Sequence, residues 1–365
     1  MIKQLITLAL SLLLCGTALA ARTPNQQATI GTLRRVDKNG YLFEIQYKAD
    51  YRLDQVIADQ PLDSAALLNA IHKQLLPDSS FSYTPLPSSF QCTALACTTP
   101  ESAPLLAHNY DMINDDRATV VVHTAPAGKY ASVGLADMGW LGMKKDDFLS
   151  SPAGQEALLY APYLVMDGMN EKGFAIATLS VPALNPNQED NGFPKIFSGL
   201  IPRYMLDNAR SVQDALTKFQ ELDVKMAFPK NHSFHWLLND AYGDCAVVEF
   251  LNGHCSIQAK AFTAKHQTVA NYWLSTDKKL PGENGFARVK LIEKNLKKNP
   301  LPTEQQTMDL LEATVLTKDP ELKKSGLNMN LATNWSVVYN LEKLTAAICL
   351  RENFNQQLGF YIKQH

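Results

Sequence analysis

The run Ser88-Ser89-Phe90-Gln91-Cys92-Thr93-Ala94-Leu95, followed by Ala107-His108-Asn109-Tyr110-Asp111, holds residue types that can break an amide bond. A cysteine thiolate is a strong nucleophile, and a base beside it raises the thiolate fraction. A cysteine at a free N-terminus brings its own base, because an α-amino group titrates at about pH 7.7–8.0. The expectation is that the chain cuts its own Gln91–Cys92 bond, so that Cys92 begins the mature protein. The α-ammonium can later protonate a leaving nitrogen. Asp111 stands nineteen residues on, the distance of the next hairpin strand, where it can face Cys92 and steady that ammonium. Asp111 can equally form an Asx turn with Asn109.

Other candidates are weaker. Cys97 is also followed by Thr, but Thr98-Thr99-Pro100 reads as a turn, and Asp111 is only fourteen residues away. His232-x-x-His235 borders a strand, where that spacing puts the rings on opposite faces. No zinc-spaced set accompanies the pair, so no metal is expected. The sequence has no Gly-x-Ser-x-Gly elbow, no phosphate-binding Gly loop and no dinucleotide fingerprint, so no cofactor is expected.

The elements that must position these residues come from a chain of 365 residues, 46% hydrophobic and 19% charged, with formal net charge −2. That length supports a sizeable core, and the charge gives no reason to expect a nucleic-acid partner. Residues 1–20 read as a signal peptide: Lys3, an apolar Leu5–Leu14 run, then Ala18-Leu19-Ala20. The expected location is periplasmic or secreted. No later stretch approaches the ~18 apolar residues of a span, so no stable membrane insertion is expected. Five cysteines follow the signal, an odd number that leaves at least one unpaired; up to two disulfides among Cys97, Cys245, Cys255 and Cys349 stay open.

Residues 21–91 read as a propeptide or a small N-terminal subdomain, two readings that both hold if the cut piece stays bound. Gly31–Tyr47 alternates around Asn39-Gly40 as a hairpin. Asp63 can cap a helix carrying Leu67, Leu68, Ile71 and Leu75. Pro77, Pro85 and Pro87 mark a linker. From 92 to 365 hairpins interleave with helices: strands near 118–124, 130–135, 163–166, 174–179, 236–239, 244–250, 268–274, 335–339 and 346–350. Helices are expected over 196–207, from Ser211, over 286–296 and from Thr303, the second and fourth with capped starts reading Ser211-x-x-Asp214 and Thr303-x-x-Gln306. Met138–Ser151 reads as loop, with Trp140 covering a pocket. The pattern suits an α+β layered domain.

Cys92-Thr93-x-Leu95 with Asn109-x-Asp111 resembles the opening of the choloylglycine hydrolase/penicillin V acylase family. Asp167-Gly168-Met169-Asn170-Glu171-Lys172-Gly173-Phe174-Ala175-Ile176-Ala177 and His235–Asp240 running to Val247-Val248-Glu249 resemble its internal segments. The resemblance covers roughly Cys92 to the C-terminus. It implies a four-layer αββα sandwich of the N-terminal-nucleophile (Ntn) type and hydrolysis of a linear amide through a Cys92 thioester. It implies an oxyanion donor at Asn271, in Val269-Ala270-Asn271-Tyr272, and an Arg at Arg288 that orients the cysteine. Two positions depart from the family. His108 stands where an Arg precedes Asn-x-Asp, and Ser180 stands where Asn is frequent. The Ser180 position offers its backbone N–H to the oxyanion. With Asn109 these make the expected substrate and oxyanion contacts.

The expected substrate is a small-molecule N-acyl amide with an apolar acyl part: a phenoxyacyl amide, an N-acyl homoserine lactone, a fatty N-acyl amide or a conjugated bile salt. Tyr110, Met112, Trp140, Met143 and Phe193 are candidate pocket walls. The alternatives are an acyltransferase of the isopenicillin N acyltransferase type and a catalytically silent envelope binding protein on the same fold. A homo-oligomer is compatible with the sequence.

Overall fold

The computed structural model describes residues 22–80, 83, 91–226, 232–277, 279–324 and 330–362. The signal-like segment 1–20, most of the proline linker and Cys15 lie outside the described residues.

The N-terminal segment runs α1 (Pro24–Ile30), β1 (Arg34–Arg35), β2 (Leu42–Tyr47), α2 (Leu53–Ala58) and α3 (Ser64–Leu75). The expected hairpin forms, with Gly40 at φ 77° in its turn. Asp63 caps α3, accepting from Ala66 N at 2.8 Å. Then come β3 (Gln91–Thr98), β4 (Pro104–Ile113), β5 (Thr119–Thr124), β6 (Ser132–Asp137), α4 (Asp147–Ser150), α5 (Pro152–Ala157), β7 (Val165–Asn170), β8 (Ala175–Pro182) and β9 (Lys195–Phe197). The middle of the chain adds α6 (Ile201–Asn208), α7 (Val212–Gln220), β10 (Asp223–Lys225), β11 (His232–Asn239), β12 (Cys245–Leu251), β13 (His254–Ala259) and β14 (His266–Val269). It closes with α8 (Phe286–Leu296), α9 (Glu304–Ala313), α10 (Pro320–Lys324), β15 (Leu331–Asn340), β16 (Thr345–Leu350) and β17 (Leu358–Tyr361).

Among the described residues the strands form a nine-stranded sheet, β1-β2-β5-β6-β7-β8-β11-β12-β13, a six-stranded sheet, β14-β3-β4-β15-β16-β17, and a separate two-stranded one, β10-β9. The first two face each other across β3, β4, β8 and β11. Helices α6 and α7 cover the outside of the larger sheet; α8 and α9 cover the outside of the smaller. This is the αββα sandwich. Alternation along β3 divides its side chains: Cys92, Ala94 and Ala96 join the core between the sheets, while Leu95 and Cys97 pack under α8 and α9.

The N-terminal segment is built into this architecture. β2 pairs with β5 in parallel from Leu42↔Thr119 to Tyr47↔Thr124. Phe43, Ile45, Leu67 and Ile71 are buried in the main hydrophobic core, Phe43 and Ile45 on the helix-covered face of the larger sheet.

Several local expectations change. Lys195–Phe197 is a short strand paired in parallel with β10, and helix starts only at Ile201, with Pro202 in its first turn. Met138–Leu141 forms a 3-10 turn and Asp147–Ser150 a short helix in place of loop. β14 stops at Val269, so Asn271 lies beyond the strand end. Cys92, Cys97, Cys245, Cys255 and Cys349 are all free thiols, and the disulfides left open do not form.

Candidate active site

Cys92 occupies the second position of β3, directly across from Tyr110 of β4, and Gln91 lies across from Asp111. In the continuous chain the Cys92 nitrogen is an amide, and it donates to Asn271 Oδ1 at 2.9 Å. The thiol is fully buried. Burial pushes its pKa well up and the Asp111 carboxylate pushes the same way; the Asp111 backbone N–H and Arg288 oppose them. The thiol is therefore held neutral before any cut.

Arg288 of α8 organises the backbone around it. Its Nη1 donates to Cys92 O at 3.0 Å, Thr93 Oγ1 at 2.6 Å and Asp111 Oδ2 at 2.9 Å. Its Nη2 donates to Asn271 Oδ1 at 2.9 Å and Asn284 Oδ1 at 3.2 Å. Nε lies 2.8 Å from Asp319 Oδ2. The planar fork lets one side chain hydrogen-bond five groups and pair with a sixth, Asp319. Gly285 stands at φ 86° just before α8, and a Cβ there would come within 2.8 Å of Arg288 Nη2, so the turn leaves room for the guanidinium. Asp111 also accepts from Thr333 Oγ1 at 2.6 Å. Burial pushes the Asp111 carboxyl up to about 7, against Arg288 and Thr333, which pull it down.

Cys92, Asp111, Asn271 and Arg288 thus come together in one buried cluster. Asn271 is placed differently from a free oxyanion donor. Its oxygen faces two donors, and its Nδ2 donates to Ser180 O at 2.7 Å. Ser180 accordingly enters the cluster through its carbonyl, while its hydroxyl lies 3.4 Å from His232 Nδ1. Asn109 does not join. It points to the helix side, donating to Leu311 O at 2.9 Å and accepting from Ser336 Oγ at 2.6 Å. His108 lies on the Cys92 face, its Nδ1 2.7 Å from Asp167 Oδ2. Asp167 also accepts from Trp335 Nε1 at 2.8 Å and Tyr339 OH at 2.6 Å, a knot joining the two sheets.

Cys97, the rival nucleophile, faces the other way. It is buried under α9 with Thr307 Oγ1 at 3.7 Å, and burial lifts its thiol to about 12. His235 pairs with Glu249 at 3.2 Å, while His232 lies by Ser180, so the two histidines do not converge. Asp319 and Thr333 serve the cluster without having been singled out from sequence, and Thr93 entered only as part of the Cys92-Thr93 pattern. Asp167 heads a recognised block, yet nothing local signals its cross-sheet role.

An apolar cleft of about 60 Å³ lies beside Trp140; none of Cys92, Asp111, Asn271 and Arg288 lines it. Leu67 and Leu68 of α3 form one wall; Trp140, Thr178, Phe197 and Phe234 are among the others. Trp140 Nε1 donates to Tyr110 OH at 3.2 Å, and Tyr110 stands across from Cys92. Of the walls expected from sequence, Trp140 lines this cleft. Tyr110 and Met112 are core, Met143 is partly buried against it, and Phe193 is exposed.

The model of the family described as acyl-coenzyme A:6-aminopenicillanic acid acyl-transferase matches residues 159–355, more than half of the chain. The chain belongs to this family. A curated relative, penicillin V acylase of Pectobacterium atrosepticum, is 23% identical over 241 residues, 58% of this chain and 62% of the relative. The chain thus spans under two thirds of that relative's length. Two variant forms of the conjugated bile acid hydrolase from Clostridium perfringens each superpose with a TM-score of 0.52 at 17% identity, covering 74% of this chain and 92% of theirs. At that identity the likeness concerns the fold, and it is the Ntn fold. The kinship expected with choloylglycine hydrolases and penicillin V acylases holds for this member of the acyl-transferase family.

Proposed function

We propose that this chain is an exported, self-processing cysteine amide hydrolase. It would cut its own Gln91–Cys92 bond and then split an N-acyl amide into a carboxylic acid and an amine. The observation that carries the reading is the convergence of Cys92, Asp111, Asn271 and Arg288 in one buried cluster. After the cut, the new α-amine takes the thiol proton, and the thiolate attacks the substrate carbonyl. The ammonium returns the proton to the leaving nitrogen, and water resolves the Cys92 thioester. Arg288 holds the Cys92 backbone and balances Asp111, which steadies the ammonium. To stabilise the tetrahedral oxygen, Asn271 Nδ2 would have to give up its present partner, Ser180 O. The apolar cleft beside Trp140, linked to Cys92 through Tyr110, is the candidate seat of an apolar acyl group. Penicillin V acylase, as a relative, supports the same substrate class.

Intact mass and N-terminal sequencing test the reading. The wild-type chain should yield a species beginning at Cys92, and Cys92→Ala an uncut, inactive one. Amide hydrolysis by purified Cys92→Ala would end the proposal. The family description favours one second reading, transfer of the acyl group to an amine. Products assayed with and without an acceptor amine separate transfer from hydrolysis.

A further inference from the structure

The self-cut poses a problem that hydrolysis by the mature chain does not. Before the cut the Cys92 nitrogen is an amide, hydrogen-bonded to Asn271, so no α-amine exists to take the thiol proton. The Asp111 carboxylate cannot substitute, because it is tied on the helix side by Thr333 and Arg288. A different base must lie on the intersheet face.

His108 is placed for that role. In the β3–β4 pairing Cys92 faces Tyr110 and Ala94 faces His108, so His108 is the diagonal neighbour of Cys92 on the same face. Such neighbours lie within reach of a ring side chain. Asp167 accepts from Trp335 and Tyr339 and lies 2.7 Å from His108 Nδ1. A carboxylate can only accept there, so Nδ1 carries the hydrogen and Nε2 keeps its lone pair. Nε2 is buried and has no hydrogen-bond partner. An Asp that fixes the tautomer and a ring nitrogen left open are what a general base needs. An arginine at this position could not accept a proton. The ring and the thiol are not hydrogen-bonded in the resting chain, so a ring rotation or one bridging water has to close the gap.

We propose that His108, oriented by Asp167, is the base that drives the first cut at Gln91–Cys92. The inference rests on the reading of Cys92 as a self-released nucleophile. His108 Nε2 takes the thiol proton, and the thiolate attacks the Gln91 carbonyl carbon. As the C–N bond breaks, the imidazolium returns the proton to the Cys92 nitrogen, leaving a Gln91 thioester on Cys92. Water then cleaves the thioester to a Gln91 carboxylate and a free thiol.

The test is the rate of cutting, read by mass, of the full chain made by brief cell-free translation and diluted into buffers from pH 5 to 9. The groups facing His108 are Asp167 of β7, Tyr339 of β15, and Cys92 and Tyr110 of its own sheet. The expected wild-type rate rises from pH 5 and then levels off, as a base that must be neutral to take the thiol proton requires. His108→Gln should cut at least about 100-fold more slowly and lose that rise. A variant cutting at the wild-type rate with the same profile overturns the inference. If His108→Gln does not fold, the wild-type profile decides: a rate flat from pH 5 to 8, or climbing steadily without levelling, overturns it too. A wild-type chain that never cuts at Gln91–Cys92 overturns the underlying reading, a distinguishable result.

Discussion

Arg288 brings one positive charge to two buried carboxylates, Asp111 and Asp319. Burial is the main reason that Asp111 holds its proton to about pH 7, and the neighbouring carboxylates of Glu352 and Asp319 add to it. The folded value lies above the unfolded one of about 3.9, so the folded chain binds this proton more tightly. Stability from this group is complete below the unfolded value and is lost as pH rises toward 7. The uncut Cys92→Ala chain should therefore weaken by roughly 2 kcal/mol between pH 5 and 7 in urea unfolding, and adding Asp111→Asn should flatten that slope. Arg288→Met in the same background leaves both carboxylates unbalanced and should cost about 3–5 kcal/mol by the same measurement. The spacing of Cys92 to Asp111 was legible because a hairpin fixes what nineteen residues can reach, and Asn271 and Arg288 were legible through the family pattern. Thr333 and Asp319 were not, since Thr333 is 222 residues from Asp111, Asp319 lies in the loop after another helix than the one carrying Arg288, and no local pattern encodes either pairing. Asn109 misled because its neighbour across the β4 pairing is Thr93, whose face looks toward the helices.

At the level of elements, helix starts were readable wherever a side chain caps them. Thr303 and Gln306 form a reciprocal capping box, and Ser211 accepts from Asp214 N. Lys195–Phe197 was not readable, because Ile196, Leu200 and Ile201 also fit a helical stripe, and only the distant partner β10 makes the strand. The N-terminal segment shows the same limit. Its hairpin and helix were legible, but its place beside β5 was not. Tyr51 ties it further, donating to both oxygens of Asp207 at 2.8 and 2.7 Å, where Arg203 balances the carboxylate. Tyr51→Phe should lower stability by about 1.5–3 kcal/mol in chemical unfolding. Residues before Cys92 should co-elute with the rest in native gel filtration after the cut and separate only in denaturant. Elution of the short piece alone under native conditions would contradict this packing.

For the whole molecule, the five described cysteines are free and four of them are buried. Reductant should leave the thermal midpoint within about 1 °C, since no cross-link restrains the unfolded chain; a larger fall would reveal a disulfide. The integrity of the sandwich rests instead on strand pairing and burial, and β2 has a particular consequence. It is fastened to β5 while belonging to the piece upstream of Cys92. Unfolding of the uncut chain is an event within one molecule, and a midpoint independent of dilution is expected for it. In a chain cut as proposed the same event would release two polypeptides, so recovery would depend on their meeting again, and the midpoint should fall with dilution. Maturation would thus trade reversibility for persistence: a protein that folds once, as a single chain, and afterwards survives only as long as it does not come apart.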